Sequence, residues 1–193
     1  ELVQIVLQGF EVMVANDGTT TNEERFWELF MDTFGGERQK HVTVFEEFYN
    51  NEFHRVAGGT SPTPLANEAI QVLKEKGYDV VLATNPVFPR VATMQRMRWA
   101  GLKPQDFTLI TTYENSTFAK PSLDYYREIL SQIGAKAEEC LMVGNDVQED
   151  AVAARLGMKV FMVTDDLINT RGEDFSDHPH GDRQAMVDYL RKL

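Results

Sequence analysis

The sequence is poor in cysteine and in long apolar runs. Cys140 is the single cysteine among 193 residues, so an internal disulfide is excluded. A lone thiol is typical of a reducing compartment. No run of about 18 apolar residues occurs, which argues against a transmembrane helix. We therefore expect a cytoplasmic protein.

Positive charge is also scarce. The chain has 19 Lys and Arg residues against 30 Asp and Glu residues, for a net charge of −11. An acidic surface repels the phosphates of nucleic acids and of anionic membranes, so we expect neither as a partner. A small anionic substrate is still compatible, because one lysine or one metal ion reverses the field within a site.

Residues 1–59 have the pattern of helices. Apolar side chains recur at helical spacing from Leu2 to Val14, and the pattern halts at Asn16-Asp17-Gly18. Thr21 with Glu24, and later Thr43 with Glu46, match the capping box that opens a helix. We expect the aromatic and apolar side chains that follow these boxes to point inward: Phe26, Trp27, Phe30, Phe34, Phe45, Phe48, Tyr49, Phe53 and Val56.

A breaker-rich stretch at residues 57–64 marks a boundary, after which the pattern alternates. Short apolar strands are predicted at residues 79–84, 107–111, 140–143 and 159–163, with helices between them. This alternation predicts an α/β fold with a three-layer, Rossmann-like parallel sheet. Ligands in such folds bind beyond the carboxyl ends of the strands.

Two of the predicted strand ends carry polar groups suited to phosphate. Thr84 and Asn85 offer a hydroxyl and an amide, although a Thr-Asn-Pro turn alone would explain them. Lys120 precedes Pro121 at a predicted helix start, where an anion is favoured. Taken alone, Lys120 is better explained as a solvated surface lysine.

The third strand end is the acidic loop VGNDVQED. Asn145, Asp146 and Asp150 supply hard oxygen ligands of the kind that Mg²⁺ prefers. We interpret Gly144 as the residue that lets the chain turn sharply there. An acidic helix N-terminus would account for Asp150, but not for the Gly-Asn-Asp turn.

In this order, Thr84, Lys120 and the acidic loop resemble the second, third and fourth motifs of the haloacid dehalogenase-like hydrolases, mostly Mg²⁺-dependent phosphatases. The segments LATNPVFP, RWAGL and MVGNDVQED are similar to one bacterial branch of that superfamily. The resemblance implies a catalytic α/β core at residues 60–193 and an α-helical cap at residues 1–59.

The resemblance also implies roles for these side chains in the hydrolysis of a small phosphorylated metabolite. An aspartyl-phosphate would form on a nucleophilic Asp. Asp146 would anchor Mg²⁺ with help from Asn145 or Asp150, and Lys120 would bridge the nucleophile and the phosphoryl group. Thr84, with Asn85, would bind phosphoryl oxygens, while the cap closes over the site and selects the substrate.

The first family motif, D-x-D-G-T, has only a partial match in the segment ANDGT. Ala15 stands at the position of the nucleophile, and the capping box at Thr21 explains Asn16-Asp17-Gly18 as a turn between two helices. We therefore predict that Asp17 is not catalytic. The numbering begins at Glu1 rather than Met, and we expect the nucleophile upstream of it.

Other interpretations stay open. A metal-independent dehalogenase is disfavoured by the acidic loop, and a non-catalytic binding module would lack the nucleophile altogether. A phosphoacceptor receiver domain is disfavoured because there the acidic residues come before the Thr and Lys. His178 and His180 are a candidate metal pair, although two histidines at this spacing with no third ligand nearby usually belong to a polar loop. Exposed aromatic residues on the cap helices would serve a homodimer.

Overall fold

The computed structural model describes residues 2–193. Within that range the α-helices are α1 (Leu2–Val14), α2 (Asn22–Phe34), α3 (Arg38–Asn51), α4 (Pro64–Glu75), α5 (Arg90–Trp99), α6 (Leu123–Ile133) and α7 (Arg183–Leu190). The strands are β1 (Val81–Leu82), β2 (Leu109–Ile110), β3 (Leu141–Gly144), β4 (Lys159–Val163) and β5 (His180–Gly181). Short 3₁₀ helices include Phe53–Gly59 and Ala151–Leu156.

The turn between α1 and α2 is built as the sequence predicts. The Thr21 hydroxyl accepts the Glu24 N–H at 3.2 Å, and a Glu24 carboxylate oxygen accepts the Thr21 N–H at 3.2 Å. This capping box opens α2. Asp17 Oδ1 accepts the Thr19 N–H at 3.1 Å and lies 2.9 Å from an Arg25 nitrogen. Asp17 therefore stabilises a helix–helix turn, as predicted.

The second predicted capping box is wrong. Helix α3 begins at Arg38, so Thr43 lies inside it. The Thr43 hydroxyl donates to the Gln39 carbonyl at 2.9 Å, the bond to the preceding turn that a threonine makes inside a helix. Thr43 and Glu46 are three residues apart inside a helix, and this spacing is the same as that of a capping box.

Buried aromatic side chains form the core of the N-terminal helices. Phe26, Trp27 and Phe30 are almost fully buried and pack with Phe45 and with α1. Three residues expected to point inward are instead exposed: Phe34 by 37%, Phe48 by 48% and Val56 by 52%. Helix α3 buries none of its residues fully, so its apolar stripe is wider than the surface it packs on.

The strands are shorter than predicted, but the α/β class is confirmed. Strands β3, β4 and β5 form a parallel sheet in which β4 is central. Its residues Val160, Phe161 and Met162 are buried. Strands β1 and β2 form a separate two-stranded sheet. Long-range pairing creates β5, and the sequence pattern did not predict it or α7.

The chain forms two compact units. The first comprises residues 1–62, 82–105 and 110–119, and the second comprises residues 63–81, 106–109 and 120–193. The first unit holds the N-terminal helices and α5, and the second holds α4, α6, α7 and the three-stranded sheet. The predicted cap at residues 1–59 falls within the first unit, and its role as a cap stays a prediction.

Candidate functional site

The candidate site of the second unit is centred on a buried ion pair. Lys120 Nζ and Asp150 Oδ1 are 2.6 Å apart, and both side chains are 6% exposed. Lys120 also lies over the Tyr125 ring, with Nζ 5.9 Å from its centroid. Lys120 is therefore not the solvated surface lysine that its sequence context alone would allow. It lies directly before α6, in a cis peptide bond with Pro121.

The second oxygen of Asp150 holds the loop after β3. Asp150 Oδ2 accepts the N–H groups of Asn145 at 3.1 Å and Asp146 at 3.0 Å. One carboxylate thus pairs with a buried cation and satisfies two backbone donors, which offsets the cost of burying its charge. Asp150 therefore fixes both the loop and Lys120.

Gly144 makes this arrangement possible for a reason that differs from the predicted one. A Cβ at position 144 would overlap the Asp150 carboxylate. Gly144 is the last residue of β3 and is not among the glycines with positive φ. The glycine therefore provides space for Asp150 rather than a sharp turn.

Asp146 is anchored at the carboxyl end of β3. Its Oδ1 accepts the Glu149 N–H at 2.9 Å, and its backbone bridges to Ile168 in parallel orientation. Asn145 donates through Nδ2 to the Asp166 carbonyl at 2.8 Å. The two neighbouring side chains are half-buried, so they present oxygen atoms at the end of the strand.

Tyr126 supports the same loop from α6. Its hydroxyl donates to the Glu149 carbonyl at 2.6 Å. Burial, followed by the negative charge of Asp150, raises the pKa of Tyr126 far above its usual range. The phenol therefore stays protonated and acts as a donor. The sequence reasoning missed this residue, because a tyrosine on a helix has no distinctive pattern.

The donor set is suited to Mg²⁺ in part. Both Asp150 oxygens already bind Lys120 and backbone N–H groups, while Asp146 and Asn145 retain hard oxygen atoms. Mg²⁺ takes few protein ligands and completes its shell with water and substrate phosphate, so two such donors are compatible with it. Among residues 2–193, no group of three or more His, Cys, Asp or Glu side chains is arranged to hold a metal ion.

The structure brings together four of the predicted site residues. Lys120, Asn145, Asp146 and Asp150 all belong to the second unit. Thr84 and Asn85 belong to the first unit, where Thr84 Oγ1 donates to the Thr111 carbonyl at 3.0 Å. Both lie just after β1, which ends at Leu82 rather than at Thr84 as predicted.

The histidine pair of the C-terminal segment has a structural explanation. A ring nitrogen of His180 lies 2.8 Å from the His178 carbonyl oxygen, and the ring packs against Phe175 with centroids 5.5 Å apart. His180 begins β5. These contacts are typical of a polar loop that enters an edge strand.

A parallel sheet with an acidic loop at the end of β3, paired with a buried lysine that precedes α6, defines an α/β protein of the Rossmann-like class. The chain belongs to the haloacid dehalogenase-like hydrolases, because the model of that family, described as "haloacid dehalogenase-like hydrolase", matches residues 11–157. The match includes Thr84, Lys120 and the whole acidic loop.

Curated relatives of this chain are named phosphatases. The glyceraldehyde 3-phosphate phosphatase of Methanothermobacter thermautotrophicus is 26% identical over 175 residues, which cover 90% of this chain and 74% of that protein. The ribulose-1,5-bisphosphate 5-phosphatase of Halopiger xanaduensis is 26% identical over 136 residues, which cover 69% of this chain and 55% of that protein. This chain therefore matches only about half of the second relative.

Solved structures share the fold. A HAD phosphatase from Thermococcus onnurineus has a TM-score of 0.57 at 15% identity, covering 99% of this chain and 88% of that one. An L-2-haloacid dehalogenase from Xanthobacter autotrophicus has a TM-score of 0.51 at 17% identity, covering 83% of this chain and 62% of that one. No helix in the described range is both long and apolar enough to cross a membrane.

Proposed function

We propose that this protein hydrolyses the phosphate monoester of a small metabolite, with Mg²⁺, through an aspartyl-phosphate intermediate. The observation that carries the proposal is the buried pair of Lys120 and Asp150, whose second carboxylate oxygen accepts the backbone N–H of Asp146 at the end of β3. A fixed cation in the same site as a half-buried aspartate suits a phosphoryl group bound together with a metal ion. The phosphatase names of the curated relatives support the same chemistry.

The proposed metal ligands are Asp146 and Asn145. Bound there, Mg²⁺ would neutralise the negative charge between the attacking carboxylate and the phosphate. Asp150 is left out of the predicted set of three metal ligands, because its two oxygens already bind Lys120 and the backbone N–H groups of the loop. We therefore assign Asp150 a positioning role.

Lys120 and Thr84 are the proposed phosphate-binding residues. The Lys120 ammonium group, held by Asp150, would contact the phosphoryl oxygens as negative charge develops on them. Thr84 and Asn85 would donate further hydrogen bonds, as their match to the second family motif implies. Asp17 is not proposed as the nucleophile, because its carboxylate binds Thr19 and Arg25 in the turn between α1 and α2.

The test is a phosphatase assay of the complete protein against a panel of phosphate monoesters. We expect turnover with Mg²⁺, loss of turnover after exhaustive chelation, and recovery when Mg²⁺ is restored. Asp146→Asn should lower turnover by about 100-fold or more, since even residues that only support a metal ligand contribute about 10–100-fold. Asp124→Asn is the matched control, because Asp124 is an exposed carboxylate paired with Arg127 on α6.

Each alternative gives a distinct result. Phosphatase activity that survives chelation would remove the metal from the mechanism. Full activity of Asp146→Asn would place the metal ligand elsewhere. Release of halide from a 2-haloacid, with no hydrolysis of any phosphate ester, would favour a dehalogenase. No turnover of either class of substrate would favour a binding module.

A further inference from the structure

The first unit contains a cavity of about 230 Å³ that the proposed chemistry does not use. It is smaller than the pockets of about 300–1,000 Å³ that hold drug-sized ligands, so it suits a small molecule. Its aromatic lining consists of Phe10, Phe26, Trp27, Phe45, Tyr49 and Tyr113. Aromatic faces bind cations as well as apolar groups.

The charged lining of the cavity is entirely acidic. Glu23, Glu46 and Glu114 line it, and none of its lining residues in the described range is a lysine or an arginine. Burial raises the pKa of the lining residue Tyr49 to about 12, so that phenol is neutral at pH 7. The glutamates therefore set the charge of the cavity.

Two of these glutamates are brought close by the backbone. The N–H groups of Asn22 and Glu23, at the start of α2, donate to the carbonyls of Ser116 and Tyr113, both at 2.9 Å. Burial, followed by the charge of Glu114, raises the pKa of Glu23. Arg38 lies 3.6 Å from Glu23 and opposes this rise without cancelling it. A cation between Glu23 and Glu114 would relieve their repulsion.

Glu114 also has an unused hydrogen-bonding atom. Its Oε1 accepts the N–H of Arg90, the first residue of α5, at 2.7 Å. Its Oε2 is buried and has no hydrogen-bond partner within residues 2–193. Stabilising the start of α5 accounts for the first oxygen and leaves the second unexplained. A buried carboxylate oxygen without a donor is costly, and a ligand N–H would satisfy it.

Trp27 contributes a buried donor to the same cavity. The side chain is 2% exposed, and its indole N–H has no hydrogen-bond partner within the described part of the chain. Burial raises the pKa of the neighbouring Tyr113 hydroxyl far above its usual range, and the Trp27 N–H opposes this rise without reaching hydrogen-bond geometry. A ligand oxygen would satisfy this donor.

We propose that the cavity binds a small protonated amine that also carries an oxygen acceptor, such as an amino alcohol. The ammonium group would donate to Glu114 Oε2 and lie against the aromatic faces, while the oxygen accepts the Trp27 N–H. A quaternary ammonium ion fits less well because it has no N–H to donate to Glu114. This inference goes beyond the proposed hydrolysis and is independent of it.

The test is a calorimetric titration of the complete protein at pH 7 with 4-amino-1-butanol and with its neutral analogue 1,4-butanediol. The amine is protonated at this pH, as a lysine side chain is. We expect the amino alcohol to bind at least about tenfold more tightly than the diol, the factor that corresponds to one well-placed charged contact. The Trp27 indole resonance should shift on binding, while that of Trp99, which does not line the cavity, should not.

Matched variants locate the effect. Glu114→Gln should abolish the preference for the amine, whereas Glu47→Gln, an exposed neighbour of the lining on α3, should retain it. If Glu114→Gln melts well below the wild type, Glu23→Gln gives the same test. Equal affinity for amine and diol, no binding of either, or an unchanged preference in a folded Glu114→Gln variant would overturn the inference. Phosphatase activity plays no part in these readouts.

Discussion

Lys120 Nζ lies 2.6 Å from Asp150 Oδ1, and both side chains are only 6% exposed. They are 30 positions apart in the chain, one before α6 and the other after β3. A buried pair of this kind fixes the positions of both side chains, because either charge left without its partner would be buried and uncompensated. Its partners, the amides of Asn145 and Asp146, extend that constraint to the acidic loop.

Removing one member of the pair should destabilise the protein strongly. Asp150→Ala leaves the Lys120 ammonium buried without its partner, at a cost of about 3–5 kcal/mol. Chemical denaturation measures this loss. Asp124→Ala removes an exposed carboxylate paired with Arg127 and should cost about 0–1 kcal/mol. The double variant Lys120→Met, Asp150→Ala should recover part of the loss, and a double variant as unstable as the sum of both single variants would contradict the coupling.

A methyl group at position 144 should disturb the site directly. In Gly144→Ala the new Cβ meets the Asp150 carboxylate, which must move away from Lys120 or from the loop amides. Overpacking of this kind costs about 1–3 kcal/mol. Gly58→Ala is the control, because a Cβ there meets no atom within 4 Å. Equal melting temperatures for the two variants would show that Asp150 has room to relax.

Asn22 should be among the most sensitive polar residues of the first unit. It is 0% exposed, and its Nδ2 donates to the carbonyls of Pro86 and Phe118, both at 3.1 Å. Its Oδ1 accepts from Asn16 at 2.8 Å. Asn22→Ala leaves these groups unsatisfied, at about 1–3 kcal/mol for each that water cannot reach.

Asn51→Ala provides the comparison for Asn22. Asn51 is exposed at the end of α3, and surface substitutions stay within about 0.5 kcal/mol. Denaturant unfolding of both variants measures the difference. Similar stabilities would mean that water replaces the bonds of Asn22.

The Asp17 turn should make stability depend on pH in the acid range. Hydrogen bonds from Thr19, followed by the one from Arg25, lower the pKa of Asp17 from 3.8 to about 2. A carboxylate with a lowered pKa stabilises the fold above its unfolded value and loses that contribution as the pH falls through the folded one. Asp17→Asn should therefore be less stable than the wild type at pH 7, and the gap should narrow below about pH 4.

Urea unfolding from pH 7 to pH 3 measures this gap. The difference in stability between the wild type and Asp17→Asn should become smaller only below about pH 4, the usual pKa of an aspartate. A gap that is constant over the whole range would show that the Asp17 charge contributes nothing to the turn.

The local elements of this protein follow from short-range sequence patterns. The capping box at Thr21 and the apolar spacing from Leu2 to Val14 specify α1, α2 and the turn between them, because helix formation depends on neighbours within four residues. The alternation after residue 60 specifies the α/β class for a similar reason. The same local rules failed at Thr43, where spacing inside a helix matches that of a cap.

The sequence predicts the acidic loop and Lys120 as site residues from their positions at strand ends. It does not predict which of them bind a ligand and which hold the others in place. The sequence presents Asp146 and Asp150 as equivalent oxygen ligands. Only the fold shows that Asp150 is engaged by Lys120 and two amides, because those partners come from another part of the chain. The pair of Glu23 and Glu114 in the cavity likewise has no sequence signal.

The sequence by itself determined the helical segments, the alternating α/β pattern and the residue types available for phosphate and metal binding. These depend on local periodicity, on capping and on the chemistry of single side chains. The tertiary structure alone decided that Lys120 is buried, that Gly144 makes room for a carboxylate, and that an acidic aromatic cavity exists. Each of these features depends on contacts between residues that are far apart in the chain. Burial raises the free energy of an unpaired charge strongly, and a local sequence pattern does not show which charges are buried.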